Sequence, residues 1–418
     1  MSLFKSFSTY TIASFIEKGI AFFLLPVFTF YLSPKDYGTL SLLQSIYSLI
    51  LPVISLGSMG AISVAYFNKG ESNYSSYFSS CLIPPIAVTI VLTILSSCGY
   101  SFLGSYFQIS PIWIIIIPSF CFLTVFNSLL LTDYQIKNQP LNYVKYSLSN
   151  STLSVLLSLL FVISIHLSFK GRLYGQYISV FVFFIIALFI LLKKGIISIN
   201  AINKDDIIDS IKFGLPLIPH TLGCMVINMS DRLFIDKLLG KDILGLYNTG
   251  YIIGGSISIL CGAFANAIIP FSYSLFELNT LDAKKKVVKV YWIFILLLIG
   301  VVLLVWLFTP FVFRFLINEK FSDGQKYVIW ITLGYFFQGL YLLFANIIFY
   351  LKKTKILFYW SFVNVILNIA LNFVLIREFG AIGAAYTLCL SYFIFFFAIA
   401  TITSKLYPLP WFSALIEK

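Results

Sequence analysis

The sequence predicts an all-α protein that lies in a lipid bilayer, with about twelve spanning helices in two halves. Three observations carry this prediction. Hydrophobic residues make up 60% of the 418 and charged residues only 11%, with a mean hydropathy of +0.96, whereas a soluble domain carries roughly 25% charge. Charge-free runs recur along the whole chain at or above the roughly 20 residues that a helix needs to cross the hydrocarbon core. The two halves also look like diverged copies of one another.

Taken in order, the first span runs from about Phe7 to Leu32 and is interrupted only by Glu17 and Lys18. No small-residue cleavage site follows it, so it reads as an uncleaved first helix. Tyr37 to Asn68 gives the second span. The run from Ser72 to Thr132 is too long for one helix, and Gly99, Gly104 and Pro111 divide it into spans three and four. Tyr146 to Leu167 and Leu173 to Leu192 are five and six. The connector from Lys193 to Asp209 bears both signs of charge and is the candidate boundary between halves. Span seven is Lys212 to Arg232 and span eight Ile243 to Phe276. After a lysine-rich loop come Val290 to Phe313, Tyr327 to Leu351, Ile356 to Ile376 and Phe379 to Ser404. The expected organisation is a lobe at 1–192, a cytoplasmic linker at 193–210, a second lobe at 211–404 and a tail at 405–418.

Loop charge sets the orientation. With the N-terminus inside, 17 lysines fall on the inner side, among them Lys193, Lys194, Lys284, Lys285 and Lys286, against 9 lysines and arginines outside. Both termini are therefore expected in the cytoplasm. The net charge of +12 reads as inner-loop lysine that favours anionic headgroups, and no basic soluble module is present to bind nucleic acid.

The repeat has two signatures. YLSPKDYGTLSLL after span one resembles KLLGKDILGLYNT after span seven, with Lys35-Asp36 against Lys241-Asp242. Asn150, Ser154 and Ser158 in span five match Asn364, Asn368 and Asn372 in span eleven, each set at i, i+4, i+8. Spans one and seven run the same way, so the repeats are parallel, and transporters built from repeats place their site between them near mid-membrane.

The segment that least fits a purely apolar span is Lys212 to Arg232, KFGLPLIPHTLGCMVINMSDR. On a helix His220, Cys224, Asn228 and Arg232 form one stripe about 18 Å long, with Asp231 beside its end. A charge at the centre of a span costs roughly 2.5–3.5 kcal/mol on insertion scales and normally faces a bundle interior or an aqueous cavity. Pro216 and Pro219 free backbone carbonyls and bend the span, which marks it as a gate or hinge.

LLPVFTFYLSPKDYGTLSLL at Leu24 to Leu43, preceded by Glu17-Lys18, resembles the opening of Wzx-type polysaccharide flippases. The Gly-x-Pro of span seven, the Asp231-Arg232 pair and LGKDILGLYNTGY resemble the same family, which belongs to the multidrug/oligosaccharidyl-lipid/polysaccharide exporter superfamily. The resemblance covers essentially the whole chain. It implies two six-helix lobes around a central cavity, alternating access, and an undecaprenyl-pyrophosphate-linked oligosaccharide as cargo, moved to the outer leaflet of a bacterial inner membrane. It also implies membrane lipids and the polysaccharide polymerase machinery as partners; the protein itself is expected as a monomer.

That cargo gives the polar residues work to do. Arg232, with a bidentate fork, and Lys18, as a point charge, are candidate pyrophosphate contacts; ion pairing with Asp231 and Glu17 is the plainer reading. Asn364, Asn368, Asn372 and Asn228 offer amides to sugar hydroxyls, although interhelical hydrogen bonding explains such a stripe equally well. Asp231, Glu17 and His220 are candidates for coupling to a proton or sodium gradient. Asp133 reads as a surface cap or a partner of Lys137, and the Gly171/Gly175 and Gly250/Gly254 spacings as close packing. No nucleophile triad, metal motif or phosphate-binding glycine loop appears, and the outer loops are short, so an enzyme is not expected. A drug exporter of the same superfamily and a flippase for a lipid-linked peptidoglycan precursor stand as alternatives.

Overall fold

The computed structural model describes residues 16, 19–20, 22–278 and 280–411, without the side chains at 68–72, 199, 220, 266–267, 270 and 354. Every regular element among them is helical. A bilayer demands this, because no water is there to take up a free N–H or C=O.

A short apolar helix, α1 (Phe22–Tyr31), leads to a reciprocal cap. The Ser33 hydroxyl donates to Asp36 Oδ2 at 2.8 Å and accepts from the Asp36 backbone N–H at 3.1 Å. With Pro34 in the first turn, that cap starts α2 (Pro34–Ser55). A turn through Leu56 and Gly57, φ 44° and 64°, leads to α3 (Ser58–Ser80). α4 (Ile83–Cys98) and α5 (Tyr100–Phe107) part at Gly99, and Gln108 at φ 51° turns the chain into α6 (Pro111–Ile136), as the glycines and Pro111 predict. α7 (Pro140–Leu159) and α8 (Ser168–Lys193) follow, then α9 (Lys204–Gly214) and α10 (Ile218–Leu239). The remainder is α11 (Lys241–Gly254), α12 (Ile257–Leu278), α13 (Leu281–Phe315), α14 (Gln325–Tyr350), α15 (Thr354–Phe379) and α16 (Ala381–Leu406).

Nine of the described helical stretches are long and apolar enough to cross a membrane, or eleven when each of two bent pairs is one span. These eleven coincide with expected spans two to twelve, and α1 with the end of span one. The first bend, 46°, lies between Lys204–Leu217 and Thr221–Leu239, at Pro216 and Pro219. The second, 42°, lies between Lys241–Gly254 and Ile257–Ala265.

The chain packs as two compact units. Unit 1 contains Thr39–Leu233, and unit 2 contains Ile20–Gly38 with the chain from Phe234 onward. The expected boundary at 193–210 is not where the packing divides. That connector is fastened to α3 inside unit 1, where Ser75 Oγ donates to the carbonyls of Gly195 (2.9 Å) and Ile196 (3.1 Å). Ser76 Oγ donates to the Ala201 carbonyl at 2.7 Å, and the hydroxyls of Ser79 and Ser80 accept from the backbone N–H groups of Ser198 and Asn203, both at 2.9 Å. Tyr77 donates to Asp209 at 2.9 Å. It is chiefly the connector's backbone, with the carboxylates of Asp206 and Asp209, that meets the hydroxyl band of α3.

Unit 2 brings the two Lys-Asp motif copies together. A Cβ on Gly38 would lie 1.8 Å from the Lys241 carbonyl oxygen, and one on Gly245 would lie 1.9 Å from that of Pro34. The starts of α2 and α11 thus cross glycine on glycine, each filling the space the other leaves.

The other repeated stripe behaves alike in the two units. In unit 1, Ser179 Oγ of α8 donates to the Asn150 carbonyl of α7 at 2.8 Å, and Gly171 and Gly175 press on Phe161 and Ser158. In unit 2, Asn368 Nδ2 of α15 donates to Ser391 Oγ of α16 at 3.2 Å, and Gly383 presses on Leu375. Gly250 and Gly254 likewise pack on the carbonyls of Gly324 and Val328.

Candidate functional site

The intramembrane charge of unit 1 sits on α10. Asp231 and Arg232 are each only 4% exposed. Arg232 Nη1 donates to Asp231 Oδ1 at 3.0 Å and to the Asn228 carbonyl at 2.8 Å, while the Arg232 backbone N–H donates to the same carboxylate oxygen at 2.8 Å. One turn earlier, Asn228 Nδ2 donates to the Cys224 carbonyl at 2.7 Å. Of the stripe predicted at i+4, Asn228 and Arg232 both bond back to carbonyls of their own helix. Such a buried pair tolerates low dielectric because each charge has a partner and hydrogen bonds. Across from it, Ser45 of α2 lies 3.9 Å from Met229 Sδ.

Of the other candidates on this span, Pro216 lies within a tightened turn, Leu215–Leu217, that separates α9 from α10, and Pro219 lies in the first turn of α10. His220 lies within α10, its side chain outside the described atoms. Glu17 and Lys18 fall outside the described residues.

The asparagine stripe lies in unit 2, apart from the unit that holds Arg232. Asn364, Asn368 and Asn372 are 3%, 1% and 1% exposed. Asn372 Nδ2 donates to Asn368 Oδ1 at 3.1 Å, and Asn368 donates to Ser391. Asn368 thus bonds across to α16, the interhelical alternative weighed from sequence, and Asn372 supports it from one turn along α15. Asn364 differs: neither its amide nitrogen nor its oxygen has a hydrogen-bond partner, so it keeps its capacity for a ligand.

Two charged sites go beyond the sequence reading. Asp133, expected as a surface cap or a partner of Lys137, does pair with Lys137 but is 0% exposed. It binds Lys137 at 2.6 Å, accepts from the Tyr74 hydroxyl at 3.0 Å and has Lys194 at 3.8 Å. The i,i+4 relation to Lys137 is visible in sequence, but Tyr74 and Lys194 come from α3 and the end of α8, so the burial is not. In unit 2, Lys241 meets Asp236 at 3.1 Å, both side chains under 10% exposed. Asp133, Asp231 and the half-buried Asp236 thus each meet a lysine or arginine, while the buried Asp206 meets the Ser76 hydroxyl.

Comparison with known proteins agrees with this architecture. The family described as "Polysaccharide biosynthesis protein" matches residues 3–276, and the MatE family matches residues 216–374. A protein of the Lsg locus of Haemophilus influenzae is 27% identical over 377 residues, which is 88% of this chain and 90% of that protein. Among solved structures, a multidrug resistance MATE family transporter of the MOP superfamily in its inward-facing conformation superposes with a TM-score of 0.76 at 12% identity, covering 93% of this chain and 95% of the other. The lipid II flippase MurJ in an inward closed conformation gives 0.72 at 15% identity, over 97% and 90%. With the family match spanning well over half of the chain and the helical architecture in agreement, this chain belongs to the polysaccharide biosynthesis protein family.

Proposed function

We propose that this transporter flips an undecaprenyl-pyrophosphate-linked oligosaccharide, the repeat unit of O-antigen or a similar surface polysaccharide, from the cytoplasmic to the outer leaflet of a bacterial inner membrane by alternating access. The observation that carries the proposal is an arginine buried in a span of a polysaccharide-family transporter, its guanidinium held by one carboxylate and one carbonyl of its own helix. A diphosphate presents the same kind of acceptor as that carboxylate, with more charge and more oxygens. Arg232 exchanges Asp231 for phosphate oxygens when cargo enters, and Lys18 adds a second positive charge. Asp231, released from its cation, then takes a proton or sodium ion, which ties cargo binding to an ion gradient. His220 and Glu17 are the other coupling candidates, Asn364 and Asn228 offer amides to the glycan, and the break at Pro216 and Pro219 is the gate of span seven. The membrane is the inner one, with both termini in the cytoplasm.

The drug-exporter alternative fits less well. Organic cations seek unpaired acids, and Asp133, Asp231 and Asp236 are each matched by a base. A lipid-linked peptidoglycan precursor presents the same pyrophosphate and is separated by experiment. The gene is deleted in its host and restored as wild type, Arg232→Ala or Lys18→Ala, and surface polysaccharide is followed on gels beside the lipid-linked intermediates. Wild type restores long-chain polysaccharide; Arg232→Ala lowers it at least about tenfold, the scale of one charge-assisted contact, with lipid-linked units held on the inner leaflet. Full transport by both variants at normal protein levels overturns the phosphate assignment. Normal polysaccharide in the deletion strain, with altered drug tolerance, selects the exporter.

A further inference from the structure

The break in span eight carries a second polar site, in unit 2. α11 runs for 14 residues from Lys241, about 21 Å of helix, so its end lies deep within a bilayer. There Gly255 N–H bonds to the Tyr251 carbonyl at 2.7 Å, and Ser256 uses both its N–H (3.3 Å) and its hydroxyl (2.7 Å) on the Ile253 carbonyl. Irregular backbone at that depth is tolerated only where it is buried in protein or lines a watered cavity.

The side chains beside the break are polar without being charged. The hydroxyl of Tyr251 hydrogen-bonds the hydroxyl of Tyr335 on α14. One turn along α14, Gln338 Nε2 donates to the Tyr392 hydroxyl of α16 at 2.9 Å, and the rings of Tyr335 and Tyr392 lie 6.3 Å apart. Tyr335 and Tyr392 are buried, 6% and 5% exposed, whereas Tyr251 and Gln338 are half-buried. Each of these two more accessible side chains is thus held in place by a buried tyrosine.

We infer that Tyr251 and Gln338, positioned by Tyr335 and Tyr392 at the break of span eight, form a contact site for the neutral, polyhydroxylated part of the cargo. A phenol and a carboxamide both donate and accept, as sugar hydroxyls require, and a tyrosine ring gives an apolar face to a sugar's C–H groups. A phosphate would call for a cation here and a lipid tail for no amide, so the glycan is the part of the cargo that these groups suit. The inference rests on the proposed function, since it assumes a glycan-bearing lipid.

The test uses purified full-length protein in detergent and two probes: undecaprenyl pyrophosphate, and the lipid-linked oligosaccharide extracted from the deletion strain. Wild type binds the glycan-bearing lipid about tenfold tighter than the bare lipid. Tyr251→Phe and Gln338→Ala each remove about five- to tenfold of that preference, the scale of one hydrogen bond, and leave affinity for the bare lipid and thermal unfolding unchanged. Equal weakening toward both probes means a packing role and overturns the site. A wild-type protein without preference for the glycan also overturns it, while leaving the flippase reading intact, because that reading stands or falls on the complementation phenotype.

Discussion

At the scale of single residues, the buried charge whose loss costs most structure is Asp133. Its carboxylate ties α3, α6 and the end of α8 through Tyr74, Lys137 and Lys194. Lys137 and Lys194 keep 23% and 36% of their side chains exposed, so each can turn to water when the acid is removed. Tyr74, 4% exposed, cannot. Asp133→Ala is therefore expected to destabilise unit 1 by about 2–4 kcal/mol, between the loss of one buried hydrogen bond and that of a fully buried ion pair. Tyr74→Phe should cost about 1 kcal/mol. Thermal unfolding in detergent measures both, and an Asp133→Ala protein that unfolds like wild type would make the cluster ornamental. The same contrast explains what could be read beforehand. Asp231-Arg232 and Asp133-Lys137 are neighbours in sequence, so their pairing was legible. The Asn368–Ser391 bond and the Tyr251–Tyr335 and Gln338–Tyr392 pairs join residues 23 or more positions apart, and neutral hydroxyls and amides do not announce themselves in an aromatic-rich chain.

At the scale of helices, apolar run length and glycine placement were enough to locate the spans, because a bilayer fixes both the length and the type of element. The cause of a glycine was not always readable. Gly38 and Gly245 resemble helix-start residues in two motif copies, yet each is needed because the other helix's backbone passes through the place of its Cβ. Gly38→Ala and Gly245→Ala force α2 and α11 apart, and overpacking of this kind costs about 1–3 kcal/mol or more. Gly262 of α12 has open space where its Cβ would go. There Gly→Ala should be neutral or stabilising by up to about 1 kcal/mol, from helix propensity alone. Size-exclusion profiles and unfolding temperatures of the three variants decide the matter, and three equal profiles would refute the crossing. The breaks in spans seven and eight follow the same division: prolines advertised the first, and the second, at Gly255, needed the structure.

At the scale of the molecule, the sequence halves and the packed units divide differently, and the connector at 193–210 is where this matters. Its mixed charges mark it in sequence as a cytoplasmic linker between two halves. Its hydrogen bonds to Ser75, Ser76, Ser79, Ser80 and Tyr77 make it part of unit 1, and they carry α9 up to the turn at Leu215–Leu217 as a fixed base. A span that bends 46° at that turn then moves, if it moves, from Pro216 onward and not from Lys193. A covalent lock separates the two possibilities. Cys98 and Cys224 are the exposed cysteines of the six and can be replaced by serine, after which Ser76→Cys and Ala201→Cys are joined by a short bifunctional thiol reagent across the place of the 2.7 Å hydrogen bond. Transport of the lipid-linked cargo in the locked protein should remain within about twofold of the unlocked one, since the lock repeats a contact already made and the loop it closes lies within one unit. Arrest on locking, restored on cleavage of the linker, would show that the connector leaves α3 during the cycle and that the hinge of span seven begins before its prolines.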